Sequence, residues 1–420
     1  MALFGTDRRI LALAMARMAD GVGNSFLIIV LPLYIASGIV EGRTFGLTES
    51  MIIGIVLSLV GFVSSFSQPF TGRVSDRTGR RKPYILFGLG GLTAANLLYL
   101  FAGSYLSLIA VRALQGVSIA FIIPTSVALV NELAGAGTRG GNMGVYNTFR
   151  LIGFGAGPIA AGALVNAGPY SLLGISLGGF EATFYVAAGA AALGFALVSY
   201  LVHDPAELSK AGGDLSVDVF ADGGGLDPVF TLGIASLFMA IGIALFATLQ
   251  PEVNARLDQN STWFGVQFAA FIIAQVFLQV PVGRASDRWG RKPFILGGLV
   301  LLAPSTLAQG IVLDSWLMLA VRFVQGVAGA MVFAPALALA GDLATGGDSG
   351  TKLSVLTMAF GLGVALGPLS AGFLVSLGFV VPFAFGAALA LCGLVLVYTQ
   401  VEETVGEEAP APDSKSAPQD

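Results

Sequence analysis

Long apolar runs, each close to the thickness of a lipid bilayer, alternate with short polar breaks along nearly the whole chain. A membrane-spanning helix needs about 20 mostly apolar residues. On that ruler the runs predict helices over 10–37, 47–71, 84–103, 105–134, 142–166 and 180–202. A second set follows over 228–250, 262–282, 294–313, 315–344, 352–377 and 379–400. The third and fourth segments divide at Ala102-Gly-Ser-Tyr105, where the apolar signal barely dips. Arg8 and Arg9 ahead of an apolar run imitate a signal peptide, but Arg17 and Asp20 interrupt the run and it continues to Ser37. It therefore reads as the first spanning helix. The expected class is all-α: a polytopic membrane protein of twelve helices in two pseudo-symmetric bundles, 1–202 and 227–401. A connector over 203–226 joins them, and an acidic tail over 402–420 is expected to be disordered, with too little apolar surface to bury.

The two sets of six repeat one another. Gly72-Arg-Val-Ser-Asp76-Arg77-Thr-Gly79-Arg80-Arg81 recurs as Gly283-Arg-Ala-Ser-Asp287-Arg288-Trp-Gly290-Arg291, with seven of the first nine positions identical 211 residues on. Val111-Arg112-Ala-Leu-Gln115-Gly116 recurs as Val321-Arg322-Phe-Val-Gln325-Gly326, and Glu132-Leu-Ala134 as Asp342-Leu-Ala344. Gly153-Phe-Gly-Ala-Gly157-Pro158 recurs as Gly363-Val-Ala-Leu-Gly367-Pro368. Such a half-length repeat in a helical membrane chain is the mark of a transporter built from tandem units. The basic residues orient it. Fifteen Lys and Arg fall on the face shared by the termini and both basic segments, against Arg43 and Arg256 on the other. The positive-inside bias places both termini in the cytoplasm, and the expected location is the plasma membrane.

Composition narrows the chemistry. The chain is 55% hydrophobic and 11% charged, where a soluble protein carries about a quarter charged residues. One Cys, Cys392, and one His, His203, leave no internal disulfide and no His/Cys metal cluster. No cofactor or metal is expected, and no nucleic-acid partner. The absence of a Gly-x-x-x-x-Gly-Lys-Ser/Thr loop argues against nucleotide as the energy source. The expected partners are a small-molecule substrate, protons and the lipid bilayer, with the chain acting as a monomer.

Charges inside the apolar runs are the candidate chemistry, because each costs roughly 2.5–3.5 kcal/mol at mid-helix on insertion scales. They are Arg17, Asp20, Arg112, Arg150 and Arg322, with Asn24 one turn beyond Asp20. Asp20 and Arg112 are the favoured pair for proton coupling. Arg17 offers the plainer alternative of a permanent local ion pair with Asp20, and Arg150 that of snorkelling to the cytoplasmic edge. The basic segments offer a second function. Gly72, Asp76, Arg77, Gly79, Arg80 and Glu132 in one half match Gly283, Asp287, Arg288, Gly290, Arg291 and Asp342 in the other. An Asp76–Arg77–Glu132 charge chain is expected to act as a latch that holds one conformation, with Gly72 and Gly79 allowing a tight turn and close helix approach. The plainer reading is that these segments only set topology. Gly153, Gly157, Pro158, Gly367 and Pro368 suit close packing and a bend at a moving interface.

These motifs resemble the major facilitator superfamily, over residues 8 to 400. Gly-x-x-x-Asp-Arg-x-Gly-Arg-Arg/Lys after the second helix of each half is that family's signature. Arg112-x-x-Gln115-Gly116 looks like the motif of its proton-coupled members. Gly144, Gly153, Gly157-Pro158 and Gly162 look like that of drug/proton antiporters, although Ala161 stands where another glycine is usual. The resemblance implies two bundles rocking about a central site lined by the first and fourth helices, so that Asp20 and Arg112 are expected to meet. It also implies proton-coupled efflux of amphipathic or drug-like compounds. The alternatives are import or facilitated passage of a sugar, organic acid or other metabolite, or a receptor that binds without translocation.

Overall fold

A computed structural model describes residues 7–134, 139–172, 175–204, 219–220, 225–343 and 349–404. Among these residues, twelve helices are long and apolar enough to cross a membrane. The first half comprises α1 (Arg8–Ala36), α2 (Glu49–Thr78), α3 (Lys82–Leu98), α4 (Tyr105–Leu133), α5 (Arg139–Ala167) and α6 (Gly179–Leu201). The second half comprises α7 (Pro228–Thr248), the short α8 (Gln250–Leu257), α9 (Ser261–Trp289), α10 (Arg291–Ile311), α11 (Ser315–Asp342), α12 (Ser349–Leu374) and α13 (Val381–Gln400). A two-stranded hairpin, Tyr170–Leu172 with Ile175–Leu177, joins α5 to α6. Twelve crossings return the chain to the end where it started, and the two basic segments share that end.

Polar residues punctuate the apolar runs where the helices begin. Asp7, Thr48, Asp227, Asn260 and Asp314 each accept a backbone N–H of the following first turn, as N-caps do. Ser104 and Ser107 form a reciprocal capping box at the start of α4, which fixes the division from the third segment. Two expectations need correcting. The signature segments are not loops for most of their length, because α2 runs on to Thr78 and α9 to Trp289. An apolar ruler stops where charges begin, but a helix continues through the interface with its own hydrogen bonds. The turn itself is short, Gly79 to Arg81 in the first copy and Gly290 in the second, and it begins at a glycine with φ 62° and 99° respectively. The short α8 was also not expected; it follows Leu249, whose backbone leaves the helical region, and opens at Pro251.

The two ends are packed differently. Towards the end opposite the termini, one apolar core runs through both halves, joining Phe26, Leu31, Ile53 and Phe184 to Phe246, Phe264 and Phe383. Towards the termini there are two separate cores, one around Leu13, Leu89, Leu129 and Val198 and one around Leu232, Leu299, Leu339 and Val397. The halves meet through α2 on α12 and α5 on α9. Small residues bring the backbones together there. A Cβ on Gly54 would strike the Pro368 carbonyl, one on Gly372 that of Ser50, and one on Gly162 that of Ser261. Ser50 hydrogen-bonds Glu252 across this seam, and Asn166 Nδ2 donates to Thr262 Oγ1 at 2.8 Å. The molecule is therefore closed at the end opposite its termini and parted at the end that carries them.

Candidate functional site

Asp20 lies twelve residues into the 29-residue α1, close to mid-membrane. Its side chain is 3% exposed, and Oδ2 accepts from Arg17 Nη1 one turn back. The other oxygen, Oδ1, has no hydrogen-bond partner. From α5, Arg150 and Tyr146 lie within electrostatic range of this pair. The Tyr146 hydroxyl shares a hydrogen bond with Ser126 Oγ of α4 at 2.5 Å. α5 comes this close because Gly153 packs on the Met18 carbonyl and Gly157 on Ser25. Arg17, Asp20, Arg150 and Tyr146 therefore form one polar cluster between α1 and α5, with Asp20 and Tyr146 buried and the two arginines half-buried. Asn24, half-buried a turn beyond, completes the polar line along α1.

Arg112 does not join it. The expected Asp20–Arg112 contact is replaced by a different arrangement, because Arg112 is used entirely within α2 and α4. Its Nε donates to the Val56 carbonyl at 2.9 Å, Nη2 to the Leu57 carbonyl at 3.3 Å and Nη1 to Gln115 Oε1 at 3.0 Å. Gln115 also accepts from Tyr99 and donates to Asn96, so all three guanidinium nitrogens of Arg112 are engaged in one buried network. Arg112 lies seven residues from the opposite end of α4, about 10 Å on the helix ruler, and nearer that end than Asp20 is. Arg322 holds the matching place in α11 but has other neighbours: Gln325 and the rings of Phe246, Phe268 and Phe271.

The latch also needs correcting. Glu132 pairs with Arg81, Nη2 to Oε1 at 2.8 Å and Nε to Oε1 at 3.3 Å, while Arg77 and Arg80 are exposed. Arg81 Nη1 also donates to Ser75 Oγ, at 2.9 Å. In the second half Arg291 pairs with Asp342 and with Asp287 at 3.3 Å, and Arg288 is exposed. The counterpart of Arg291 is thus Arg81, and the one extra residue of the first copy precedes it. The side chain of Asp76 lies outside the described residues. Both pairs, among the described residues, stay within their own half. A Cβ on Gly283 would meet nothing within 4 Å and one on Gly72 only Pro124, so neither glycine marks a close approach in this conformation.

Two acids beyond the last helix of each half had no motif to reveal them. Asp204 accepts from the backbone N–H groups of Arg81 and Lys82, and Glu403 from that of Lys292. Each carboxylate sits at a helix N-terminus, where the free N–H groups favour it. Asp204 therefore packs on the first unit rather than belonging wholly to a connector; residues 205–218 and 405–420 lie outside those described. The glycine–proline helix is two-faced. Gly153 and Gly157 hold α5 on α1, whereas Pro158 meets Gly265 and Gly162 meets Ser261 across the seam. In the second half Gly363 and Gly367 hold α12 on α7, while Pro368 and Gly372 face α2.

This arrangement, a repeated six-helix unit around a seam closed at one end, has a counterpart among known sequences. The profile of the Major Facilitator Superfamily matches residues 13–219 and 232–419. The chain belongs to the major facilitator superfamily. It is similar to Multidrug resistance protein 2 of Bacillus subtilis, 27% identical over 43% of this chain and 45% of that relative. The matched stretch thus spans about half of that relative's length. An uncharacterized major facilitator transporter of Mycobacterium tuberculosis is 26% identical over 85% of this chain and 86% of its own. In fold, the chain resembles the D-xylose–proton symporter, with a TM-score of 0.76 at 15% identity, covering 95% of this chain and 99% of that one. As a superfamily member the chain has the multi-pass fold of two six-helix halves, with twelve candidate membrane spans among the described residues.

Proposed function

We propose that this transporter exports amphipathic small molecules in exchange for protons, from the plasma membrane, with both termini cytoplasmic. The supporting observation is the state of Asp20: a carboxylate buried at mid-membrane, with one oxygen on Arg17 and the other without a partner. An ionised carboxylate is costly at that depth, and a proton on Oδ1 removes the cost. Arg17 on the same helix and Arg150 on α5 are cations within electrostatic range of Asp20. α5 carries Arg150 beside Asp20 and also carries the seam residues Pro158 and Gly162. Rocking of α5 against α9 thereby changes the surroundings of the proton site, which is what couples protonation to conformation. With fifteen basic residues on the termini side and two on the other, the parted end faces the cytoplasm. The likeness to a multidrug resistance protein agrees with efflux.

The test is dye flux in proteoliposomes whose outward face is the cytoplasmic one. An acid lumen is expected to accelerate accumulation of ethidium, because protons leave as dye enters. Flux indifferent to the gradient, or accumulation only in vesicles of opposite orientation, would replace this reading with facilitated passage or import.

A further inference from the structure

Arg322 is wholly buried in α11, yet two of its nitrogens, Nε and Nη2, have no hydrogen-bond partner. Nη1 donates to Gln325. The guanidinium carbon lies 4.4 Å from the centre of the Phe246 ring, 5.0 Å from Phe271 and 5.6 Å from Phe268. Aromatic rings stabilise a nearby cation, but they are weak acceptors for the in-plane N–H groups. Among the described residues no carboxylate pairs with Arg322, so a full charge is held with two of its three nitrogens unpartnered.

The unused edge has a definite shape. Nε–H and Nη2–H lie along one edge of the planar guanidinium and point the same way, matching the two oxygens of a carboxylate. Arg112 shows that edge at work: the same two nitrogens reach the carbonyls of Val56 and Leu57. In the second half this edge is left open, and three phenyl rings surround it. The box reaches the seam between the halves, because Phe268 also packs on Phe154 of α5, ring centres 6.3 Å apart.

We infer that Arg322, with Phe246, Phe268 and Phe271, is the binding site for the carboxylate end of an aromatic organic acid. The inference rests on the transporter reading above and names the substrate class. The site lies about 10 Å from the end that is closed here, seven residues into α11. It becomes accessible when Phe154 and Phe268 part. The carboxylate then supplies the two missing acceptors, and the flat ring of the ligand stacks among the phenyl groups.

The test compares 1-naphthoate with its uncharged methyl ester by calorimetry on the full chain in lipid nanodiscs. Naphthoate is expected to bind about tenfold or more tightly than the ester, the scale of a charge-assisted hydrogen bond. Arg322→Gln should abolish that preference by weakening naphthoate alone. Arg322→Lys should keep part of it, since the charge remains and the two-point edge is lost. Equal binding of acid and ester by the unaltered protein overturns the inference without any variant. So does a preference that survives Arg322→Gln. Flux of naphthoate, ester and ethidium in proteoliposomes separates the two readings. Loss of all three contradicts transport itself, whereas flux of ester and ethidium without naphthoate contradicts only the carboxylate site.

Discussion

The two halves share a fold and a set of motifs, yet they differ in which buried polar groups they carry and in how those groups are bonded. In the first half the charged cluster is at mid-membrane. The packing of Gly153 on Met18 and of Gly363 on Leu237 sets the register between halves. On that register Arg17, Asp20, Tyr146 and Arg150 correspond to Ser236, Met239, Leu356 and Phe360. The second half is therefore almost apolar where the first is charged. Nearer the opposite end the contrast reverses: Arg112 is fully bonded, and Arg322 is not. A duplicated scaffold has thus divided its work. One half holds a carboxylate with an unpartnered oxygen, and the other an unfilled guanidinium edge.

The comparison breaks most sharply at the two arginines. Arg112→Leu removes three hydrogen bonds from a buried network and is expected to cost about 4.5 kcal/mol or more, since bonds to charged groups are worth roughly 1.5–3 kcal/mol each. Arg322→Leu removes a buried cation with unpartnered N–H groups, and should leave stability unchanged or raise it. Thermal unfolding of the purified variants measures both. Equal losses would mean that Arg322 is as well bonded as its counterpart.

The glycines test where the halves are alike. Gly153→Val and Gly363→Val each drive a side chain into a neighbouring carbonyl, of Met18 and of Leu237. Overpacking of this kind costs typically about 1–3 kcal/mol, and both variants should fall in that range. A harmless Gly363→Val would show that only the first half needs the close approach.

The smallest effect is expected at the helix ends. The Arg81–Glu132 pair is 5% and 13% exposed, against 14% and 38% for Arg291–Asp342. Glu132→Gln should therefore lower stability by about 1 kcal/mol and Asp342→Asn by less, following the low worth of exposed pairs. The same unfolding assay ranks them, and a larger loss at Asp342 would reverse the assignment of the tighter pair to the first half.

Much of this was legible in the sequence, in a way that follows the physics. Burying a helix in a bilayer demands a long apolar run, so the twelve spans could be read directly, while the division near Ser104, where the apolar signal barely dips, is fixed by the capping box. The ends of α2 and α9 could not, since a helix leaving the bilayer no longer needs apolar residues. Of the site, the Arg17–Asp20 pair was visible as neighbours one turn apart. Tyr146 and Ser126 were not, because a hydroxyl in an apolar run reads as ordinary until another helix brings it a partner. Arg81 was obscured by a one-residue difference between the copies, which only the contact with Glu132 resolves. Arg112 and Arg322 sit in nearly the same local sequence. What distinguishes them, the carbonyls of Val56 and Leu57 against three phenyl rings, comes from residues more than 50 positions away along the chain.

The proton site is tested most directly by Asp20→Asn, which fixes the uncharged form of the side chain while keeping its size. Ethidium flux in proteoliposomes is measured with and without an imposed pH gradient, alongside dye binding to the same protein. The account predicts that the variant binds dye as the parent does and carries it at a rate the gradient no longer changes. An Asp20→Asn protein that still answers the gradient like the parent would contradict it, and would leave Arg17–Asp20 as a structural ion pair.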